Sequence, residues 1–582
     1  MSVDHEGTPP LDAGTGTVDD LLAPAALVTA APVTVSPEAE PDDRSDGPAT
    51  GRGPLPAYVW VLVGAITVVG FLLRLPSFHD SLSGDEISTF YIVHGHSLGR
   101  VLHLVYSNQE TTPPLYFIVA WLTKGLLSSP VQSIRLVSLA CGTAAIPLTF
   151  LLGLWTVGKR AALVGAACVA LSPYMIFFST EARPYMLVLF FALVSTLSLL
   201  RALDTGRVGW WVAYAAASAG AAYSHYTVVF LLVAQFAWAV WTQPPARRAL
   251  VVANVAAGLT FLPWLGGLRA DLRAPNFINA VQPFSLHAAL SDLGETWIGH
   301  PFFIPISRLP GTPAVVLAGL GLALGAVGVV QRLLARNGHR WRLSPRTTLI
   351  VVLALAPTVL VTGYSWARAD ILGGGNLIAS WPGMAVAIGA LVTYPRQPLR
   401  VVAVALTVLA YGIGGFKMLG SAAQRPNIDA ALAYIDQVGT KGDPIVSAPN
   451  FDNPLSELDV ALANAGQTHR YPVIRLGVPS LAEQLRPLSG PHPQPVFFGL
   501  PVVDPQVVAA RAVMLARHGR VFLVSGTTSL PTLMTEDPQT SIGPFIKALP
   551  SGFHLERQRT FVGFEGLGHE TVDVFEDTGA PR

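Results

Sequence analysis

Long apolar runs recur along most of the chain, near residues 57–75, 134–156, 161–178, 184–203, 209–223, 226–242, 248–268, 312–334, 347–365, 372–393 and 399–417. Each is close to the ~17–25 residues a helix needs to cross a hydrocarbon core. Helices also satisfy their own backbone polar groups, which lipid cannot do. The pattern therefore predicts an all-α polytopic membrane domain of about eleven transmembrane helices. The run at 115–127 is different: it follows Pro113 and Pro114, contains Lys124 and has the length of an interfacial or re-entrant helix, so it stays outside the count. After Met418 the pattern changes. Short β-rich runs at 444–447, 496–500 and 520–524 alternate with helical stretches at 428–438 and 505–517, which predicts a small α/β domain.

Composition supports the membrane assignment, with 51% hydrophobic against 13% charged residues. Lys plus Arg (37) nearly balance Asp plus Glu (36), so net charge points to no nucleic-acid partner. The distribution of charge is more informative. If residue 57 starts on the cytoplasmic side, the inner loops carry Lys159-Arg160, Arg201 to Arg207, Arg247-Arg248, the basic segment 332–346, and Arg396 to Arg400, as the positive-inside rule requires. Counting 115–127 as a span would invert every later loop. The same choice places outside the loops 76–133 and 269–311, the turns at 180–183, His225 and 368–370, and everything after 420. Residues 1–56 hold ten acids against Arg44 and Arg52 and read as a disordered acidic cytoplasmic tail without signal-peptide features. The expected organisation is thus tail 1–56, membrane domain 57–420 and extracytoplasmic α/β domain 421–582, in a multi-pass plasma (cell inner) membrane protein. Cys141 and Cys168 both lie in apolar runs and indicate no disulfide framework.

Ionisable groups at a membrane boundary are costly and mark candidate chemistry. Three external features qualify. Asp85 and Glu86 form an acid pair after the first span; a carboxylate near lipid can be tuned to act as a general base, whereas the bland reading is a solvated helix start. Glu181, Arg183 and Tyr185 lie in a charged hairpin between two apolar runs. Its arginine can pair with a phosphate or simply close the turn on Glu181. His225 and Tyr226 stand at the next external turn, where a histidine between aromatic rings can hydrogen-bond phosphate or sugar and a tyrosine can serve as an interfacial anchor. The inferred topology brings all three to one face.

At these residues the chain resembles the GT-C superfamily of membrane glycosyltransferases, in the group of dolichyl-phosphate-mannose protein mannosyltransferases (family 39), aminoarabinose transferases and rhizobial core transferases. The resemblance rests on Gly84-Asp85-Glu86, Thr112-Pro113-Pro114-Leu115-Tyr116-Phe117, the block from Arg135-Leu136 to Gly158-Lys159-Arg160, Ser172-Pro173 leading to Glu181-Ala182-Arg183-Pro184-Tyr185, and Tyr223-Ser224-His225-Tyr226, in the family's order. It implies inverting transfer of a mannose or other hexose or pentose from a polyprenyl-phosphate carrier to an extracytoplasmic glycan, lipid or protein. It assigns Asp85 as base, with Glu86 assisting it or binding a divalent cation such as Mg or Mn, and sets Arg183 and His225 toward the donor phosphate. Glu181, Tyr185, Tyr226 and Tyr116 are supporting residues. Gly375 stands where many relatives carry an arginine, which leaves Arg368 as a candidate replacement contact. Two readings from other classes compete: a lipid-linked glycan transporter or flippase, and a non-catalytic cell-envelope assembly protein. A transporter predicts charged or helix-breaking residues at mid-span in two related halves, whereas here the ionisable residues gather in external loops.

Overall fold

The structure, a computed structural model, describes residues 55–82, 84–107, 110–273, 284–301, 304–334, 343–368, 370–448, 455–476, 504–527, 539–563 and 569–579. Nearly all of the expected acidic tail, the expected strand at 496–500, and most of the basic segment 332–346 lie outside the described residues.

Each apolar run contains helix, and the segments 76–133 and 269–311, read as external loops, contain helices as well. In chain order these are α1 (Ala57–Phe78), α2 (Asp85–Val93), α3 (Leu98–Tyr106), α4 (Leu115–Thr123), α5 (Pro130–Thr156), α6 (Lys159–Leu171), α7 (Pro173–Phe178), α8 (Tyr185–Thr205), α9 (Val208–Ser224), α10 (Val228–Thr242), α11 (Arg247–Thr260), α12 (Leu265–Asp271), α13 (Leu286–Ile298), α14 (Thr312–Leu334), α15 (Pro345–Ala367), α16 (Trp381–Thr393) and α17 (Leu399–Lys417). Among the described residues, eight helical segments are long and apolar enough to cross a membrane. The other three runs are shorter for visible reasons. Ser172 caps the break between α6 and α7, with Pro173 opening the second helix. The turn at His225 separates α9, of 17 residues, from α10, of 15. The run at 115–127 yields only α4, nine residues and about 13 Å long, too short to span.

Small residues let the helices meet closely. A Cβ added at Gly389 of α16 would come within 2.3 Å of the Ala161 carbonyl oxygen on α6, so only glycine permits that crossing. Arg74 is fully buried near the end of α1. Its guanidinium donates to the Val169 and Ala170 carbonyls at the C-terminal end of α6, both at 3.1 Å, and to Ser179 Oγ at 2.9 Å. Those carbonyls have no partner within their own helix and carry its negative dipole end, which suits a buried cation. Arg74 thereby fixes the hairpin that follows α7 against the first span.

The C-terminal part folds around a five-stranded sheet of order β2-β1-β3-β5-β4, comprising β1 (Ile445–Ala448), β2 (Val473–Arg475), β3 (Arg520–Thr527), β4 (Phe553–Phe561) and β5 (His569–Asp577). The first three are parallel neighbours, and β5 and β4 extend the sheet antiparallel. Side chains alternate across it: Ile445 and Phe522 join one core with α18 (Ile428–Val438) and α19 (Glu457–Asn464), while Val446 and Leu523 join a second with α20 (Pro505–Leu515) and α21 (Gln539–Ala548). Parallel strands buried on both faces are the arrangement these apolar runs predict. The expected helix at 428–438 and the strands near 444 and 520 are present. The β4–β5 pair was not expected, because β4 is exposed along most of its length and lacks the apolar alternation of a half-buried strand. The sheet region also reaches the short helices that follow α1: Val460 of α19 packs into the core formed beneath α2, α3 and α4.

Candidate active site

Gly84, at φ +57°, turns the chain after α1 so that α2 begins with Asp85 and Glu86, two acids at the positive end of a helix dipole. Adjacent helical residues point about 100° apart, and here the two diverge completely. The Asp85 side chain is 61% exposed, whereas that of Glu86 is 1% exposed.

Glu86 is the centre of a buried knot. Arg135 of α5 donates from Nε and Nη2 to its two carboxylate oxygens at 2.7 and 2.6 Å. Arg425, just before α18, adds a contact at 2.9 Å, and the Ala182 amide donates at 2.7 Å. Burial pushes the Glu86 carboxyl up, but the Arg135 and Arg425 charges outweigh it and hold the group below the usual range. The remaining N–H groups of Arg135 donate to the carbonyls of Phe78, Asp80 and Ser81, tying down the loop between α1 and α2. With both oxygens spent on guanidiniums, Glu86 positions α2 and does not share a cation with Asp85. Among the described residues no group of three or more His, Cys, Asp or Glu side chains is placed to hold a metal ion.

The second centre is Arg183, buried at the start of the segment that enters α8. Its guanidinium pairs with Glu110 through both terminal nitrogens, and its Nη2 lies 3.9 Å from Asp85 Oδ2. Burial disfavours its charge, yet Glu110 and Asp85 keep it firmly cationic. Its Nε is buried without a hydrogen-bond partner. Glu181 sits one turn away, 4% exposed, with Oε2 unpartnered; burial first and the charge of Glu86 second push its carboxyl up to about 8.

The other expected residues fall into place unevenly. Tyr185 lies beside His225, ring centroids 5.5 Å apart, and its ring covers Gly375 so closely that a Cβ there would be 2.1 Å from Cδ1. An arginine at 375 would have to displace Tyr185. His225 holds Nδ1 at 2.9 Å from Thr227 Oγ1, and burial together with the Arg183 charge drives its imidazolium down to about 3. It is therefore a neutral hydrogen-bonding group rather than a cation for a phosphate. Tyr226 turns away toward Asp271, to which it donates, while accepting from Trp264 Nε1 at 2.8 Å. Tyr116 braces α4 on α5 through the Ile134 carbonyl at 3.0 Å. Arg368 is exposed at the end of α15 and takes part in none of the contacts that join Asp85, Glu110 and Arg183. Glu110, Arg135 and Arg425 were absent from the expected site. Arg135 lay within a quoted motif, and Glu110 stands two residues before Thr112-Pro113-Pro114, but a lone acid or arginine in sequence declares no partner.

Residues 111–266 match the sequence family of dolichyl-phosphate-mannose-protein mannosyltransferases. No curated protein matches. Among solved structures, the chain is similar to ArnT from Cupriavidus metallidurans bound to undecaprenyl phosphate, at 15% identity and a TM-score of 0.47 over 89% of this chain and 98% of that one. It is also similar to the oligosaccharyltransferase AglB from Archaeoglobus fulgidus with an inhibitory peptide and a dolichol-phosphate, at 12% identity and a TM-score of 0.46 over 81% and 69%. A third is the arabinofuranosyltransferase AftD from Mycobacteria, at 14% identity and a TM-score of 0.42 over 90% and 40%. The resemblance carried by the motifs is borne out over residues 111–266 by the family match, and the eight long apolar helical segments make this a multi-span membrane protein by composition.

Proposed function

We propose that the protein transfers a sugar, a hexose or pentose, from a polyprenyl-phosphate carrier to an extracytoplasmic glycan, lipid or protein, with inversion at the anomeric carbon. The observation that carries this reading is the juxtaposition of an exposed carboxylate, Asp85, with a buried guanidinium, Arg183, at 3.9 Å. In the proposed step the Asp85 carboxylate takes the proton of the acceptor hydroxyl as that oxygen attacks the anomeric carbon. The bond from that carbon to the phosphate oxygen breaks on the opposite face, and the carrier phosphate departs with the electron pair. Arg183 stabilises the phosphate charge, and its position does not depend on the ligand because Glu110 already holds it. His225, neutral and beside Tyr185, supplies hydrogen bonding to the phosphate or the sugar. Glu86 acts through α2, as a positioning residue that aims Asp85.

The positive-inside distribution of Lys and Arg supports a cytoplasmic N-terminus with the sheet domain on the outer side of the plasma membrane. The groups proposed for chemistry lie in the loops assigned to that outer face. The segment 1–56 is proposed as the cytoplasmic tail, 57–420 as the transferring domain and 421–582 as the extracytoplasmic domain. The deciding experiment replaces Asp85 with Asn in membranes supplied with a labelled polyprenyl-phosphate sugar. Loss of a general base lowers transfer by about 100-fold or more; undiminished transfer would remove Asp85 from the role.

A further inference from the structure

A cleft of about 1100 Å³ opens between the far end of α2 and the sheet domain. It has no part in the proposed transfer step, and its lining is chemically consistent. The strands β2, β1 and β3 are parallel neighbours, so the turns that precede them lie along one edge of the sheet. Each of those turns brings basic residues to the cleft: Lys441 before β1, His469 and Arg470 before β2, and Arg517 before β3. The turns are held in register, since the Gly442 amide donates to the Arg470 carbonyl at 3.0 Å and the buried carboxylate of Asp443 pairs with His518 at 2.8 Å. Lys441, His469 and Arg517 are exposed. The acid that also lines the cleft, Asp459, is engaged by Arg475 at 2.5 Å, and Arg470 is paired with Asp436 at 3.2 Å, which leaves Lys441 and Arg517 as the exposed cations of the lining. The opposite wall is aromatic: His94 lies flat on Phe90, with centroids 4.5 Å apart and planes at 14°.

Phe90 belongs to the helix that begins with Asp85. Phe90 and His94, which line the cleft, lie about 8 and 13 Å along the helix axis from the proposed base. Clustered cations raise the local concentration of an anionic ligand, and the exposed His94 ring opposite them, backed by the buried Phe90, offers a flat face to the C–H groups of a sugar. We propose that this cleft is an acceptor subsite for an anionic glycan, one bearing carboxylate or phosphate groups, whose reactive end extends along α2 to Asp85. The assignment rests on the glycosyl-transfer reading and names the chemical class of its acceptor.

The test uses the full-length protein in nanodiscs, titrated with oligogalacturonate, with a dextran oligomer of matched length, and with undecaprenyl phosphate. Oligogalacturonate binds at least ~10-fold more tightly than dextran, and the double variant Lys441→Glu/Arg517→Glu weakens it by about 10-fold or more, the scale of losing one charge-assisted contact. Undecaprenyl phosphate binding stays unchanged in that variant. If the double reversal does not fold, Lys441→Gln/Arg517→Gln carries the measurement, and Lys441→Arg/Arg517→Lys retains binding. Equal binding of the two oligomers, an unaffected variant, or loss of undecaprenyl phosphate binding in the variant each overturns the assignment. Asp85→Asn leaves the cleft intact and keeps oligogalacturonate binding whether or not transfer survives, so the subsite and the transfer reading fail separately.

Discussion

Asp85 and Glu86 are neighbours in sequence and opposites in environment. Around Glu86 two guanidiniums and an amide close on one carboxylate, which no ligand can reach. Around Asp85 a single arginine approaches to 3.9 Å, already held by Glu110, and the carboxylate stays open. The first cluster spends its charge on structure, since it joins the loop after α1, the hairpin before α8 and the segment leading into α18 at one point. The second keeps charge in reserve. Adjacency of acids is therefore no guide to shared chemistry: a helical step of one residue can separate a tie from a reagent.

The sharpest way to break this comparison is Glu86→Ala. Removing one partner of a buried ion pair leaves uncompensated charge and costs about 3–5 kcal/mol, here with two arginines stranded. Thermal unfolding in detergent shows the loss, and the variant releases the sheet domain to limited proteolysis at residues 420–427 before the membrane helices melt. The pH dependence has a definite sign. The folded Glu86 carboxyl is held below its ordinary range, so the stabilisation is complete above the unfolded value near 4.5 and drains away as pH falls through the lower folded value. A Glu86→Gln protein lacks that acid limb. An unchanged acid unfolding curve would show that the knot contributes nothing.

Much of this molecule was legible before its structure. Apolar run length gave the helices of the apolar spans, because lipid leaves the backbone few alternatives, but not α2, α3 and α13, which lie in segments read as external loops. The motif order drew attention to Asp85, Glu86 and Arg183, of which Asp85 and Arg183 lie 3.9 Å apart while Glu86 turns to Arg135 and Arg425. The partners were hidden: Glu110 lies 73 residues from Arg183 in sequence, and Arg425 reaches Glu86 from beyond the last span. Periodicity reports which face of a helix is apolar, not which distant charge completes an ion pair. For the same reason Tyr226 looked like a member of the site, although its hydroxyl is committed to Asp271 and Trp264.

Gly375 sharpens the comparison from the open side. Tyr185 fills the space that a side chain at 375 would need, so even Gly375→Ala forces the ring to shift, at about 1–3 kcal/mol for overpacking. Because the ring also lies against His225, transfer falls in parallel with the unfolding temperature. The further change to arginine, the residue that the family resemblance leads one to expect there, is worse rather than restorative. A Gly375→Arg protein with wild-type stability and raised transfer would mean that Tyr185 moves freely and that the glycine reflects no packing demand.

Glu181 lies between the two clusters, and its titration measures how far the charge of one reaches the other. Burial and the nearby Glu86 raise its carboxyl to about 8, so the folded protein holds a proton there that the unfolded chain gives up near 4.5. The native state then binds more protons across that window, and stability falls as pH rises through it by at most ~1.4 kcal/mol per pH unit. Glu181→Gln, which cannot ionise, is flat over the same range. Comparing the two proteins at pH 6 and pH 7 isolates about 1 kcal/mol for this one carboxyl. A constant difference between them would mean that Arg425 and Arg183 neutralise Glu181 fully, and that the closed and open clusters form a single electrostatic unit.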